Sequence, residues 1–422
     1  MKNSLFLSAA VAALVVTSAA AQAADLRMSW WGGDSRHTAT QEALKACGAK
    51  YGHTINPEFT GFKGHLEKLT TQIAGGTEAD IMQVNWPWLP LFSPHGEGFA
   101  DLNELSGTIK LDNWTKEQLE SATVEGKLNG LPVSTTGRVY MFNKTTFEKA
   151  GIPVPTSFAE LIAAGKVFEE KLGADYYPFQ SSQENAVLLI SQIATQLSGK
   201  DLVDPETGKV SWTKDQLVLA INFYQSLVDA HVVPSWKEAA SDGNIMLHED
   251  PRWANGEVGG SYEWDSTYFK YSDPLKASGG VLEPVKILKV DGAVTEGVYR
   301  KPSMLFSISK NSKNKEAAAQ IVNCLMNEPE GITALGATRG LPASKAAATL
   351  LSEAGQVNPI LLKANEIVMA SEGPSMSPYN EHPQIRDIFK DTMEEFAYGA
   401  ISADEAAERI IEDANDTLSE LN

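Results

Sequence analysis

Between residues 25 and 136 short apolar runs alternate with amphipathic stretches, and that alternation limits the fold more than any other feature of the chain. The runs at 26–31, 55–60 and 79–84 read as strands, and 39–50 and 65–74 read as helices. In the second helix Leu66, Leu69 and Ile73 share one face. Strands alternating with helices predict an α/β unit whose parallel sheet is covered on both faces. The first strand ends in Trp30-Trp31-Gly32-Gly33-Asp34-Ser35-Arg36-His37. Two glycines let the backbone turn sharply there, and Asp34 or Ser35 is placed to cap the helix. In such a sheet the carboxyl end of a strand is where ligands usually bind. By strand alternation Trp31 faces that junction, and Trp30 points the other way into the core.

A second set of elements follows the turn at 134–137. The run 138–143 reads as a strand of a new lobe, and the stiff turn 152–155 leads to a helix that Ser157 caps near Phe158. Helical patterns cover 184–197 and 214–230, strands 256–265 and 304–309, and amphipathic helices 315–327 and 403–418. Ser402 and Glu405 have capping-box spacing ahead of the last helix. A chain of 422 residues exceeds what one hydrophobic core organises, so two lobes are expected.

The start has Lys2, an apolar run at 5–16 and the small-residue sequence Ala21-Gln22-Ala23. That pattern predicts an export signal at 1–23, cleaved after an A-x-A site. The apolar run is shorter than the ~20 residues that a membrane span needs. The expected product is exported and soluble, with no direct membrane insertion. A net charge of −19 argues against nucleic acid and against anionic lipid surfaces. It leaves a small anionic ligand open, because a cleft's local charge can oppose the net charge. Export permits a disulfide between the two cysteines, Cys47 and Cys324, but their spacing fits a bond or two free thiols.

Catalytic and metal signatures are sparse. No zinc-type His/Cys spacing occurs, and His248-Glu249-Asp250 reads as a solvated loop. The nucleophile elbow, the P-loop and the dinucleotide fingerprint are missing too. Glu263 and Asp265 are two residues apart on a predicted strand, so they could flank a sugar as a glycosidase pair or accept its hydroxyls without chemistry. Trp31, Trp86 and Trp264 each end a predicted strand rather than filling a helix face. Aromatic rings converging on a cleft suit a ligand with flat apolar faces. Arg36, Lys63, Arg138, Lys301 and Arg339 stand at similar positions, where they can grip a carboxylate or enter a surface ion pair.

These segments resemble the extracellular solute-binding proteins of ABC sugar importers, the group that includes maltose- and glycerol-phosphate-binding proteins. The likeness runs through Ala74-Gly75-Gly76-Thr77-Glu78-Ala79-Asp80-Ile81, Gly126-Lys127-Leu128-Asn129-Gly130-Leu131-Pro132-Val133 and Tyr140-Met141-Phe142-Asn143-Lys144. It continues through Asn255-Gly256-Glu257-Val258-Gly259-Gly260, Ser312-Lys313-Asn314-Lys315-Glu316-Ala317-Ala318 and Gly340-Leu341-Pro342-Ala343-Ser344. Within the family, Ser29 to His37, Asn85-Trp86-Pro87-Trp88-Leu89-Pro90 and Ser377-Pro378-Tyr379 look like the oligogalacturonide-binding branch, whose sugars bear a carboxylate on every ring. One departure is Cys47-Gly48, where relatives usually carry a Phe and an acidic residue. A helical glycine costs about 1 kcal/mol against Ala, which puts the first helix's length in doubt.

The resemblance implies a two-lobed α/β periplasmic binding protein fold of the maltose-binding type, hinged at crossovers near 133–138 and 300–304. It implies an N-terminal lobe of 24–135 with 305–345, and a C-terminal lobe of 136–304 with 346–422. Ligand would close the lobes, and a membrane permease would recognise the closed monomer. No cofactor, metal or catalytic residue is implied. Trp31, Trp86 and Trp264 would stack on an oligosaccharide. Arg36, His37, Lys63, Arg138, Asp265, Lys301 and Arg339 would hold its carboxylates and hydroxyls. A neutral mono-, di- or trisaccharide is the alternative ligand, and a secreted carbohydrate-active enzyme using Glu263 and Asp265 the alternative class.

Overall fold

The computed structural model of the protein describes residues 23–180, 182–204, 206–241, 243, 245–374 and 376–421. The expected export signal at 1–23 therefore lies outside the described residues, Ala23 excepted. In chain order the elements that position the cleft are β1 (Asp25–Trp31), α1 (Asp34–Tyr51), β2 (Thr54–Thr60), α2 (His65–Ala74), β3 (Ile81–Val84), β4 (Leu131–Pro132) and β5 (Thr135–Asn143). They continue with α3 (Gln183–Ser198), α4 (Lys214–Asp229), β6 (Gly260–Trp264), α5 (Tyr268–Leu275), β7 (Leu282–Val285), β8 (Arg300–Pro302) and β9 (Leu305–Ile308). The last helices are α6 (Lys315–Asn327), α7 (Pro329–Leu335), α8 (Pro359–Ala370), α9 (Pro383–Ala397) and α10 (Ala403–Leu421).

The first sheet has the order β2-β1-β3-β9-β4. β2, β1 and β3 run parallel, as the alternation of strand and helix requires, but β9 is antiparallel to β3 and β4. The sheet is therefore mixed rather than wholly parallel, because its fourth strand arrives from late in the chain. The second sheet is antiparallel, with β5 pairing β8, β6 and β7. Each sheet has its own core. Leu26, Trp30, Ile81, Leu305 and Phe306 meet Leu44, Ile321 and Leu335 in the first. Tyr140, Phe142, Ile190, Leu217 and Tyr262 meet Val368, Phe389 and Ile410 in the second, so α8 to α10 cover the second lobe.

The chain crosses between the lobes three times, the last time between α7 and α8, and the first two crossings run side by side. Lys301 pairs with Thr136 in the β5–β8 ladder, Ser303 N–H donates to Ser134 O at 2.8 Å, and the two serine hydroxyls lie 2.6 Å apart. These two crossings thus form a hydrogen-bonded ribbon.

α1 starts at Asp34, earlier than the sequence pattern indicates, with Gly33 as a cap that supplies no side chain. Asp34 acts instead as an acidic group in the first turn, where the helix dipole favours it. The helix also runs unbroken through Gly48 to Tyr51 and ends on left-handed Gly52 (φ 73°). A Cβ at Gly48 would lie 2.7 Å from His53 O and 2.8 Å from Ile55 Cδ1. Glycine is there because the chain entering β2 passes hard against the helix's last turn.

Cys47 on α1 and Cys324 on α6 form a disulfide with Cα atoms 5.9 Å apart and a sequence separation of 277. The bond ties the first helix to the segment that returns late in the chain. Closing so long a loop restricts the unfolded chain strongly, and losing the bond is expected to cost about 2–5 kcal/mol. Urea unfolding of a Cys47→Ala/Cys324→Ala variant, or of the native protein with reductant, should show a lowered midpoint. An unchanged midpoint would contradict the assignment.

Candidate ligand-binding cleft

The site begins at the β1–α1 turn. Trp30 is fully buried and its indole N–H donates to His37 Nδ1 at 3.1 Å, while Trp31 on the other side of the strand borders a cleft between the lobes. A Cβ at Gly32 would lie 2.6 Å from Arg36 Cδ, so that glycine lets the arginine fold back over the turn. Arg36 then donates through Nε to Thr338 O at 3.0 Å and through Nη1 to Trp31 O at 3.4 Å. Both partners are main-chain carbonyls.

The cleft encloses about 660 Å³, part of it open to solvent. Trp31 and Phe62 form its first-lobe wall. Trp31 is wedged between Phe62, His65 and Trp88, with ring centroids 5.8, 5.3 and 5.4 Å away. His65 is held neutral, because burial pushes its imidazole down to about 4, and it shares a 2.7 Å hydrogen bond with Thr60 Oγ1. The tryptophan is therefore a fixed surface rather than a mobile one. On the second-lobe side Trp264 ends β6, with Lys301 Nζ 4.5 Å from its ring centroid.

Polar groups complete the walls. Glu263 is 3% exposed, accepts from Asn185 Nδ2 and lies 3.4 Å from the Ser261 hydroxyl. Burial raises its carboxyl above the ordinary range, against the opposing pull of Arg138. Arg138 sits one layer beneath, donating to Asn185 Oδ1 at 3.2 Å and to Tyr262 O, with its guanidinium 4.4 Å over the Tyr262 ring.

Three cations border the space: Arg36, Lys270 and Lys301. Lys301 pairs with Glu381 at 2.7 Å and reaches Asn85 Oδ1 at 3.3 Å. Among the described residues no carboxylate lies within 4 Å of Arg36 or Lys270. Burial lowers Arg36 to about 10. Burial, with the charge of Arg36 acting the same way, lowers Lys270 to about 8, despite Glu263, Glu249 and Glu184. Lys270 reaches across the cleft, its Nζ 6.0 Å from the centre of the first-lobe Phe62 ring. Buried Arg36 and half-buried Lys270, each without a carboxylate in direct contact among the described residues, make a site that an anion would relieve.

Of the residues singled out from the sequence, Trp31, Arg36, Trp264 and Lys301 line this cavity. The others stand elsewhere. His37 packs on Phe59 at 4.4 Å on the Trp30 side, because it lies about 100° further round the helix than Arg36. Trp86 is 7% exposed in the first core, and its indole donates to Ser121 O at 2.7 Å. Arg138 is covered by the aromatic floor. Asp265 is consumed by the hinge, accepting from Gly137 N at 3.2 Å, Ser266 N at 2.7 Å and Asn365 Nδ2 at 2.6 Å. Arg339 lies behind Arg36, donating through Nε to Gln83 Oε1 at 2.8 Å. Lys63 borders an outer chamber instead.

Sequence reasoning missed Phe62, Asn185, Lys270, Tyr271 and Glu381. Phe62 was within reach of the strand-end argument, since it follows β2 directly. Lys270 carried no signal, because one lysine in a short helix looks like any solvated residue. No group of three or more His, Cys, Asp or Glu side chains among the described residues could hold a metal ion. No helix among them is long and apolar enough to cross a membrane.

A family model described as bacterial extracellular solute-binding protein matches residues 42–363. An oligogalacturonide-binding protein of Yersinia enterocolitica, solved with saturated digalacturonic acid, is 38% identical with a TM-score of 0.89. That match covers 94% of this chain and 99% of the other. A periplasmic solute-binding protein of Pectobacterium atrosepticum is 37% identical with a TM-score of 0.87, over the same 94% and 99%. A putative binding protein of Brucella abortus is 32% identical over 145 residues, 33% of this chain. That alignment spans only 34% of the Brucella protein, about a third of its length.

Proposed function

We propose that this chain, which belongs to the bacterial extracellular solute-binding proteins, binds an acidic oligosaccharide of the oligogalacturonide class in the cleft and presents it to an ABC permease. The observation that carries the reading is the pair of cavity cations without a carboxylate partner, Arg36 and Lys270, set among aromatic walls in a chain of net charge −19. The walls suit the apolar faces of pyranose rings, and Glu263 and Asn185 offer an acceptor and a donor to hydroxyls. The charges add what a neutral sugar would not require. The Yersinia relative, at 38% identity, supports the same ligand class. The paired crossover segments support lobe closure on a ligand in the periplasm, with the permease reading the closed form.

The family is one of binding proteins, and the carboxylate pair that suggested an enzyme is not presented to the cleft as a pair. Glu263 borders it, whereas Asp265 is turned into the hinge. Incubated with oligogalacturonides, the protein should leave their lengths unchanged. Shortened products would overturn the transport reading.

Calorimetric titration with digalacturonate tests the ligand, with saturable binding of one molecule per chain expected and no heat overturning it. Its pH dependence follows from Lys270, which titrates at about 8 in the empty cleft. A bound carboxylate favours the charged lysine and raises that value. Below pH 8 this group leaves affinity level, and as pH rises above 8 affinity falls, by up to about tenfold per unit. A level profile from pH 7 to 10 would exclude Lys270 from carboxylate binding.

A further inference from the structure

Beyond the main cavity the cleft opens into a wider outer chamber of about 1040 Å³. Four residues border both spaces and so form the neck between them: Phe62, Met246, Glu184 and Glu381. Half of the neck is carboxylate. Each of its acids also holds the cation nearest to it. Glu381 pairs with Lys301 at 2.7 Å, and Glu184 pairs with Arg386 at 3.3 Å while its main-chain carbonyl accepts from the same guanidinium at 3.0 Å. Further out, Lys390 is held by Asp387 at 2.6 Å, and Lys63 shares its wall with Glu67. Charge is therefore distributed unevenly along the cleft. Arg36 and Lys270, without an acidic partner among the described residues, lie inside the neck; at the neck Lys301 and Arg386 are each paired with an acid, and Lys63 of the outer chamber forms no ion pair among the described residues.

We infer that Glu184 and Glu381 set the length of the acidic oligosaccharide, admitting a chain that seats its carboxylates inside the neck and rejecting one that must place a carboxylate in it. The inference rests on the acidic-ligand reading above. An inner carboxylate meets Arg36 or Lys270. One carried through the neck meets two carboxylates and finds there only cations that those carboxylates already pair, and like charges brought together are a strong means of exclusion. A repulsive element of this kind gives selectivity that stacking on Trp31 and Trp264 cannot, since rings stack alike whatever the chain length.

Calorimetry with di- and trigalacturonate on the native protein, Glu184→Gln and Glu381→Gln tests it. The native protein should bind the dimer at least as tightly as the trimer. In both variants the affinity for trimer relative to dimer should rise about tenfold. Glu381→Gln also frees the buried Lys301, so Glu184→Gln, with its side chain 43% exposed, is the variant whose folding is least at risk. An unchanged ratio in Glu184→Gln, with dimer binding intact, overturns the neck. A native protein that binds neither galacturonide overturns the ligand class instead.

Discussion

Replacing Arg36 by glutamine should weaken binding of digalacturonate about 100-fold and leave a neutral disaccharide within about threefold of its native affinity. Arg36 is 6% exposed and spends two of its N–H groups on Thr338 O and Trp31 O, which fix the plane of the guanidinium. Its charge has no acidic partner within 4 Å among the described residues. A ligand carboxylate docked on it would form a buried, charge-assisted pair, and truncating one side of such a pair costs about 2–5 kcal/mol. A loss of about 3 kcal/mol, within that range, is a factor of about 100 in affinity. Arg36→Lys separates charge from shape: it keeps the cation and loses the fork, and should fall between the two. Calorimetry on the three proteins with both sugars decides the matter. Equal losses for acid and neutral sugar would mean that Arg36 shapes the site without reading charge.

The second large effect falls on stability. Asp265→Ala should lower the free energy of unfolding by about 3–5 kcal/mol, measured by urea denaturation, with little change in ligand affinity well below the midpoint. Asp265 is fully buried, and its two oxygens collect the Thr136 hydroxyl, the N–H groups of Gly137 and Ser266, and Asn365 Nδ2. These donors come from the start of β5, the end of β6 and α8. The carboxylate therefore joins the crossover strand to two elements of the second lobe. Removing it takes the shared acceptor from all four donors and leaves Thr136, Ser266 and Asn365 only their second contacts, to Ser266 Oγ, Thr136 Oγ1 and Thr135 O. A strong loss of affinity with unchanged stability would return Asp265 to the ligand site.

Much of this architecture was legible in the sequence because it follows from periodicity. The strands and helices of the first lobe show in apolar alternation, and helix 315–327 was read to the residue. What periodicity could not show was direction in three dimensions. β9 reads as a strand, but nothing local says that it returns antiparallel beside β3. The disulfide was open for the same reason, since its ends have a sequence separation of 277 and only the packing of α1 against α6 brings them together.

The site divides along a similar line. The Trp30–Trp31 pair is separable by strand parity alone, one ring bonded to His37 in the core and the other facing the cleft. Arg36 was visible because a glycine turn precedes it. Trp86 and Arg138 were equally conspicuous but sit one layer back, each donating to a main-chain carbonyl, and a sequence does not reveal which polar groups have found partners. Lys270 shows the converse. It is unremarkable by position and matters because folding leaves it facing Phe62 across the cleft without an acid beside it.

The most direct test of an acidic oligosaccharide as the ligand is a pair of titrations on the native protein, one with digalacturonate and one with its carboxyl-reduced, neutral counterpart. The rings, linkage and apolar faces are the same, so only the charges differ. The unpaired cations predict about 100-fold tighter binding of the acid, with the gap narrowing as salt rises. Equal affinity for the two sugars, independent of salt, would contradict it.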